Sequence, residues 1–307
     1  MNAPATLCSM TRKRLLVLLL LSALTVAVAA CGGEPGEPGE PSAASPEPFN
    51  TPYKDAKAFP VFISSEIVVG ENRFLVGLLD EHDAPIGVPG IDVRISFFDL
   101  REAEAEPTSQ RDMDFIWTVP GERGVYVTRA SFDHAGEWGA EVSIEGQGID
   151  ERLRGSFLVK EKATTPGVGD PAPSVDTPTA RDVSDLSEIS TDTHPDPRFY
   201  EVSVKDALSS NSPFVLTFAT PKFCQTAVCG PTLDVVKAVG RGFPRMTFIH
   251  VEPYEDLNNI GKVVPAVVKW GLKSEPWVFV VDEKGLVRAK FEGVLSKGEL
   301  REALKTL

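Results

Sequence analysis

The chain reads FVLTFATPKFCQTAVC over residues 214–229, and this stretch decides the fold of the C-terminal third. Its first six residues, Phe214–Ala219, are almost all apolar, which predicts a strand in the buried centre of a sheet. Two cysteines follow, Cys224 and Cys229, and apolar residues then recur at helical spacing through Val239. The stretch therefore predicts a buried strand, a loop that carries cysteines and a helix, in that order.

The residues after this stretch continue the alternation of strand and helix. We predict a strand at Met246–Val251, a helix at Val263–Trp270, a hairpin of Trp277–Val281 and Val287–Phe291, and a last helix that begins with the capping box Ser296/Glu299 and runs to Leu304 or beyond. The C-terminal part is thus expected to be an α/β domain.

These features resemble a thioredoxin-like domain of the TlpA/peroxiredoxin-related superfamily, over roughly residues 195–307. Phe218–Cys224 is similar to the lead-in to a thioredoxin active site, and Val168–Pro173 resembles the segment that precedes such domains. The resemblance implies that Cys224 and Cys229 are the reactive pair and that Pro276 is the family's cis-proline, which contacts the substrate backbone. Thr217 stands where thioredoxins carry a buried carboxylate, and its lack of an acid implies a slower or more specialised catalyst.

The cysteine spacing departs from the Cys-x-x-Cys pattern of that family, because four residues separate Cys224 from Cys229. In an ideal helix, residues five apart have Cα atoms roughly 8 Å apart, beyond the roughly 7 Å limit for a disulfide. If the pair bonds, residues 224–228 cannot all be helical. Pro231 suits the first helical position and Gly230 the cap before it. A second alignment reads Cys229–Thr232 as a CGPC motif without its second cysteine.

Three functions are compatible with this pair. The first is thiol–disulfide exchange with thiols and disulfides of envelope proteins. The second is a non-catalytic scaffold in which the Cys224–Cys229 disulfide is a structural staple. The third, weaker alternative is copper delivery by two thiolates and a histidine such as His250 or His194. We expect neither a resident metal nor a cofactor, and the enzymatic activity itself is left open.

The N-terminus has the pattern of a lipoprotein signal peptide over residues 1–30. Arg12–Arg14 are basic, the apolar run 15–30 is short for a membrane span, and small residues lead directly to Cys31. This resembles the lipobox of bacterial lipoproteins, which implies a diacylglycerol on Cys31 and a lipid anchor at the extracytoplasmic face of a cell membrane. The net charge of −13 argues against nucleic-acid binding.

Residues 31–56 begin with Gly-Glu-Pro triplets and are predicted to be a flexible spacer. Residues 57–162 alternate apolar and polar residues with period two, as in Val93, Ile95 and Phe97, and about seven strands without a helix predict an immunoglobulin-like β-sandwich. His82 and His134 are interpreted as solvated turn residues rather than metal ligands.

Residues 163–195 are rich in Pro, Thr, Ser and Asp and are predicted to be a second linker before a domain at 196–307. The prediction is therefore a multi-domain protein with an all-β immunoglobulin-like sandwich and an α/β thioredoxin-like domain. Because both linkers lack apolar periodicity, the two domains are expected to fold separately.

Overall fold

Strands dominate the structure, a computed structural model that describes residues 48–49, 55–101, 106–224 and 227–307. The predicted signal peptide and Cys31 lie outside the described residues. The protein is β-rich, with several sheets and few helices. None of the helices in the described ranges is long and apolar enough to cross a membrane.

Among the described residues of the first half of the chain, eight strands form two four-stranded antiparallel sheets. The first sheet has the order β1-β2-β6-β5 and the second sheet has the order β4-β3-β7-β8. The strands are β1 (Phe59–Phe62), β2 (Gly70–Leu79), β3 (Asp92–Asp99), β4 (Ser109–Asp112), β5 (Asp114–Val119), β6 (Arg123–Phe132), β7 (Gly136–Gly146) and β8 (Ile149–Val159). About seven strands were expected and eight are present. The additional strand, β4, is short and mostly exposed, so it shows no alternation of apolar residues in the sequence.

The inner faces of these two sheets share one apolar core. Val93, Ile95 and Phe97, whose alternation predicted a strand, are all buried there. Phe74 from the first sheet packs edge-on against Phe97 from the second sheet, with ring centroids 5.1 Å apart. Edge-on aromatic contacts of this kind add to the burial energy, so the two sheets are held by packing of their inward residues.

The second half of the chain forms a third sheet with flanking helices. Its order is β10-β9-β13-β14, in which only β9 and β10 run parallel. The elements are α1 (Val204–Ser209), β9 (Phe214–Phe218), α2 (Cys229–Gly240), β10 (Thr247–Val251), β11 (Tyr254–Asp256), β12 (Asn259–Val263), α3 (Pro265–Lys269), β13 (Trp277–Val281), β14 (Val287–Glu292) and α4 (Lys297–Leu304). Two short 3₁₀ helices precede them, Leu186–Glu188 and Pro197–Tyr200.

Most predicted elements of this half are confirmed. Every residue of β9 is buried, β13 and β14 form the expected hairpin, and Ser296 and Glu299 form the capping box of α4. The predicted helix at Val263–Trp270 is shorter, because Val263 ends β12 and the helix begins at Pro265. The hairpin of β11 and β12 was not predicted, since β12 is exposed along its whole length and has no buried face.

The segment 163–195 differs from the solvent-exposed linker that its composition predicts. Ala172, Val175, Thr177 and Thr179 are buried. Backbone hydrogen bonds join residues 169–170 to Val287 of β14, and the segment also bonds to residues 200, 205 and 285. A Cβ on Gly271 would lie 2.0 Å from the carbonyl oxygen of Thr164, so the backbone is tightly packed there. Polar threonines are buried in this segment through hydrogen bonds, which periodicity does not reveal.

The first and third sheets are in direct contact, and residues Glu47–Leu307 form one compact unit. Leu75, Ile116, Val125 and Val127 on the outer face of the first sheet form a buried cluster with Val294, which follows β14. Arg73 beside them donates to the carboxylate of Glu299 at 2.7 Å and to the Val294 carbonyl at 2.7 Å. The sandwich-like half is thus packed against the C-terminal half.

Candidate redox site

The two cysteines are joined in a disulfide at the end of β9. Cys224 lies in the loop after the strand and Cys229 is the first residue of α2, with their Cα atoms 5.8 Å apart. Ala227, between them, is not helical: its N–H donates to the Cys224 carbonyl in a turn, and its φ is 59°. The expectation that a bonded pair breaks the helix between the cysteines is therefore confirmed.

The start of α2 differs from the predicted one. Pro231 was expected at the first helical position and Gly230 at the cap, but the helix begins two residues earlier, at Cys229. Val228 occupies the cap position and supplies no side-chain hydrogen bond. Instead, the N–H of Cys229 donates to the sulfur of Cys224 at 3.1 Å. The Cys224 sulfur thereby takes the place of the side-chain oxygen that normally caps a helix.

The two sulfur-bearing residues differ in their access to solvent. Cys229 is 0% exposed, whereas Cys224 is half-buried in the loop. A reacting partner approaching from solvent would therefore reach Cys224 first. Because the N-terminus of a helix carries partial positive charge, its hydrogen bond to Cys224 favours a thiolate at this sulfur once the pair is reduced.

Pro276 lies at the same end of the third sheet as the cysteine loop. The Glu275–Pro276 peptide bond is cis, as predicted. Trp277, the next residue, pairs in register with Phe218, the last residue of β9. The Pro276 carbonyl accepts a hydrogen bond from Gly293 at 2.9 Å. Since the cysteine loop begins directly after Phe218, the register brings Pro276 toward the loop.

Thr217 is fully buried on β9, and its hydroxyl has no hydrogen-bond partner among the described residues. It is paired in register with His250 of β10 and with Val278 of β13. The position that the thioredoxin resemblance assigns to an acid is therefore occupied by a neutral hydroxyl in the interior of the sheet.

Burial favours the neutral form of His250, and hydrogen bonds to both ring nitrogens fix its orientation. The ring Nε2 is 2.9 Å from the Ala219 carbonyl, so it carries the proton, and Nδ1 accepts from the Tyr200 hydroxyl at 2.6 Å. Ser190 bonds to the same hydroxyl at 2.8 Å. Burial lowers the pKa of His250 below its ordinary value. Both ring nitrogens are thus engaged, which leaves this histidine without a lone pair for copper.

A further set of residues, not identified from sequence, holds the loop before Cys224. The Lys222 N–H donates to the Thr191 hydroxyl at 3.1 Å. That hydroxyl and the Thr191 N–H both donate to one oxygen of Glu252, at 2.7 and 2.6 Å. The other carboxylate oxygen of Glu252 is buried without a hydrogen-bond partner among the described residues. One feature of the sequence could have indicated this set: Glu252 is an acidic residue directly after the buried strand β10.

Val228, which was also not identified from sequence, connects the site to the first sheet. It precedes Cys229 and packs against the cluster of Leu75, Val125 and Val294. The cysteine loop therefore touches the N-terminal half of the molecule. Nothing in the local sequence predicts this contact, since it depends on how the two halves dock.

The histidines of the N-terminal half lie away from these residues. His82 is an exposed turn residue, as expected, but His134 is only 15% exposed and its ring lies against Trp138 and the carboxylate of Asp99. The interpretation of His134 as solvated was wrong, because the side chains of Asp99, Arg101 and Trp138 pack against its ring. Within the described ranges no group of three or more His, Cys, Asp or Glu side chains is arranged to hold a metal ion.

Comparison with known proteins assigns no family. No family model matches the chain, and no curated protein matches it. Among solved structures, one that matches part of the chain is the crystal structure of a "putative glycoside hydrolase" from Bacteroides vulgatus ATCC 8482. It is 10% identical with a TM-score of 0.21, and the match covers 41% of this chain and 25% of that one. A likeness at this level carries no argument about fold or function.

Proposed function

We propose that this protein is a membrane-anchored, extracytoplasmic thioredoxin-like protein that exchanges thiols and disulfides through Cys224 and Cys229. The order of β9, α2, β10, α3, β13, β14 and α4, with β9 in the interior of the third sheet, supports the thioredoxin-like assignment of the C-terminal half. Two antiparallel sheets with a common core support the immunoglobulin-like assignment of the N-terminal half.

The observation that carries the proposal is the hydrogen bond from the Cys229 N–H to the Cys224 sulfur. A static disulfide needs no donor at its sulfur, whereas a nucleophilic thiolate is stabilised by one. The half-buried Cys224 is the attacking residue, and the buried Cys229 is the resolving residue.

In the reducing direction the exchange takes two steps. The Cys224 thiolate attacks a partner disulfide, forms a mixed disulfide and releases one partner thiolate. Cys229, after giving its proton to solvent, attacks the Cys224 sulfur, forms the Cys224–Cys229 disulfide and releases the second partner thiolate. Two electrons pass from the cysteine pair to the partner, and the reverse sequence oxidises a dithiol.

The surroundings of the loop support this chemistry by fixing the backbone that leads to Cys224. The contacts from Glu252 through Thr191 to Lys222 end two residues before the attacking sulfur. Lys237 of α2 also binds Asp192 at 2.7 Å with both side chains largely buried. These bonds tie the segment around Thr191 and Asp192 both to the loop before Cys224 and to the last turn of α2.

The decisive experiment replaces each cysteine by serine in the otherwise intact chain. Cys229→Ser is expected to trap mixed disulfides with envelope proteins on non-reducing gels, since no resolving sulfur remains. Cys224→Ser is the matched control and is expected to trap far less. A redox titration should place the pair above about −300 mV, where exchangeable disulfides lie. A much lower potential without a trapped partner from either variant would instead assign a structural staple.

Membrane attachment is tested separately. We expect acylation of Cys31, so Cys31→Ser should release the protein from membranes. The absence of an acyl mass increment on detergent-extracted protein would contradict the anchor and would leave the redox proposal untouched.

A further inference from the structure

The outer face of the first sheet is apolar well beyond the part that the C-terminal half covers. Val61 and Ile63, on and just after edge strand β1, are each 40% exposed. They lie beside Gly77 of β2, whose absent side chain leaves the sheet surface open; a Cβ there would lie 3.1 Å from Ile63. The solvent face of an antiparallel sheet is normally polar, so an open apolar strip indicates a surface meant for contact.

This strip forms one wall of a cleft of about 360 Å³. The opposite wall is made by Val228, Glu275, Gly293 and Val294 from the C-terminal half. Ligand sites in proteins have volumes of about 300–1,000 Å³ and are mostly apolar with a few polar groups, and this cleft fits that description. It is bounded at its rim by Arg123 and by Glu292, whose carboxylate is held by Ser65 and Ser274.

The position of the cleft identifies its occupant. Two residues of the opposite wall are chain neighbours of the proposed redox site: Val228 precedes Cys229, and Glu275 precedes Pro276. This wall is therefore continuous with the redox site. A polypeptide that presents a sulfur to Cys224 has its neighbouring residues within reach of this wall. The open apolar strip across from it favours aliphatic or aromatic side chains in an extended segment, because a folded domain would not enter a cleft of this size.

We propose that this cleft binds an extended apolar segment beside the reacting cysteine of the redox partner, so that the N-terminal half selects unfolded or extended polypeptide substrates. This inference rests on the proposed thiol–disulfide exchange and names its substrate class. The first sheet then supplies specificity, while the C-terminal half supplies the sulfurs.

The test compares two disulfide substrates in the full-length protein. One is oxidised glutathione, which has no apolar side chain to place in the cleft, and the other is a ten-residue peptide whose single cysteine, flanked by valine and leucine, is in a mixed disulfide with glutathione. Ile63→Glu places a charge in the open strip, and Leu158→Glu is the matched control, since Leu158 is an exposed leucine, 61% accessible, on the second sheet. We expect Ile63→Glu to slow the peptide reaction at least tenfold, to leave the glutathione reaction unchanged, and Leu158→Glu to change neither.

Equal peptide rates for the wild-type protein and Ile63→Glu would overturn the inference while the exchange function stands. If the wild-type protein reacts with neither substrate, the exchange function fails, and binding of the cysteine-to-serine peptide, followed by fluorescence anisotropy, still tests the cleft. Loss of that binding in Ile63→Glu would support a peptide site on a non-catalytic protein. A change of oligomeric state in Ile63→Glu without any effect on peptide binding would assign the strip to a second copy of the chain and would overturn the proposal.

Discussion

The outer faces of the first and second sheets differ, although their inner faces contribute to the same core. On β2 and β6 of the first sheet, Leu75, Val125 and Val127 are buried beneath the C-terminal half. The corresponding face of the second sheet carries charged side chains such as Arg94, which lies exposed beside Asp112. In both sheets, apolar residues alternate along the strands and point into the shared core. The residues on the outer faces therefore determine which sheet the C-terminal half packs against.

The same contrast holds for two arginines. Arg73 and Glu299 have side chains 11% and 23% exposed, whereas Arg94 and Asp112 are 54% and 81% exposed. The distance between nitrogen and oxygen is 2.7 Å in both pairs. Geometry alone therefore does not distinguish the pairs; burial does, because a buried charge that loses its partner cannot be rehydrated.

The largest expected effect comes from a charge placed within the docked face. Leu75→Glu would bury an unpaired carboxylate against Val294, and we expect the free energy of unfolding to fall by about 4 kcal/mol. Ser143→Glu on β7 of the second sheet is the control, expected within about 0.5 kcal/mol of the wild-type protein. Urea denaturation measures both. Similar losses in the two variants would show that the outer faces do not differ as described.

Removal of each arginine tests the contrast between the ion pairs. Arg73→Met should destabilise the protein by about 3 kcal/mol, because Glu299 stays partly buried without its cation. Arg94→Met should cost about 0.2–1 kcal/mol. The measurement is the urea midpoint with the slope held in common. A cost for Arg94→Met as large as that for Arg73→Met would contradict the role given to burial.

Glu66 provides a pH-dependent test of the docked face. Burial raises the pKa of Glu66, but hydrogen bonds from Lys290 and Thr165 lower it more, to about 2 from 4.5. A lowered folded-state pKa gives stability that is present above pH 4.5 and is lost as the pH falls through about 2. Glu66→Gln should therefore cost about 2 kcal/mol at pH 7 and progressively less below pH 4.5.

The control for this measurement is Glu161→Gln, an exposed carboxylate in the segment that follows β8. It should show no difference from the wild-type protein at any pH. A cost of Glu66→Gln that stays constant from pH 7 to pH 3 would mean that the carboxylate charge contributes nothing to docking.

The smallest loss of stability is expected on the second sheet, where one aromatic residue packs on the outer face. Phe49 is buried against Gly139 of β7, and the Arg154 guanidinium lies over its ring, 4.8 Å from the centroid. A Cβ on Gly139 would lie 2.5 Å from that ring. Gly139→Ala should displace Phe49 and cost about 1 kcal/mol, at the low end for overpacking, since the ring lies outside the shared core.

The readout for Gly139→Ala is proteolysis before β1 together with the urea midpoint. Faster cleavage near residue 49, with a loss of global stability of no more than about 1 kcal/mol, is the expected combination. Ala140→Gly on the same strand, which removes a methyl from the inner core, should show the reverse pattern: a lower midpoint and no local exposure of Phe49.

Local patterns in the sequence predicted those elements that depend on neighbours in the chain. The alternation at Val93–Phe97, the buried strand at Phe214 and the capping box at Ser296 each depend on residues within a few positions, and each is confirmed. The cysteine pair and the cis bond at Pro276 were also identified, through the resemblance of these segments to a thioredoxin-like domain.

Contacts between distant residues could not be predicted in this way. The packing of 163–195 and the position of Val228 depend on contacts between the two halves. The spacing of apolar residues along the sequence carries no information about such contacts. One signal was available: β2 is continuously apolar from Phe74 to Leu79, which indicates a strand buried on both faces rather than on one. Taken together with the polar second sheet, that run would have predicted which outer face is covered.

The docking of the first sheet also orders events during biosynthesis. Arg73 and Glu299 are separated by 226 residues, so the partner of Arg73 is made long after Arg73 itself. Domains generally fold as units, with the N-terminal one first. The nascent N-terminal half therefore presents Leu75, Val125 and Val127 uncovered until Val294 and Glu299 have been made. Exposed apolar surface favours aggregation during this interval, which ends when α4 docks.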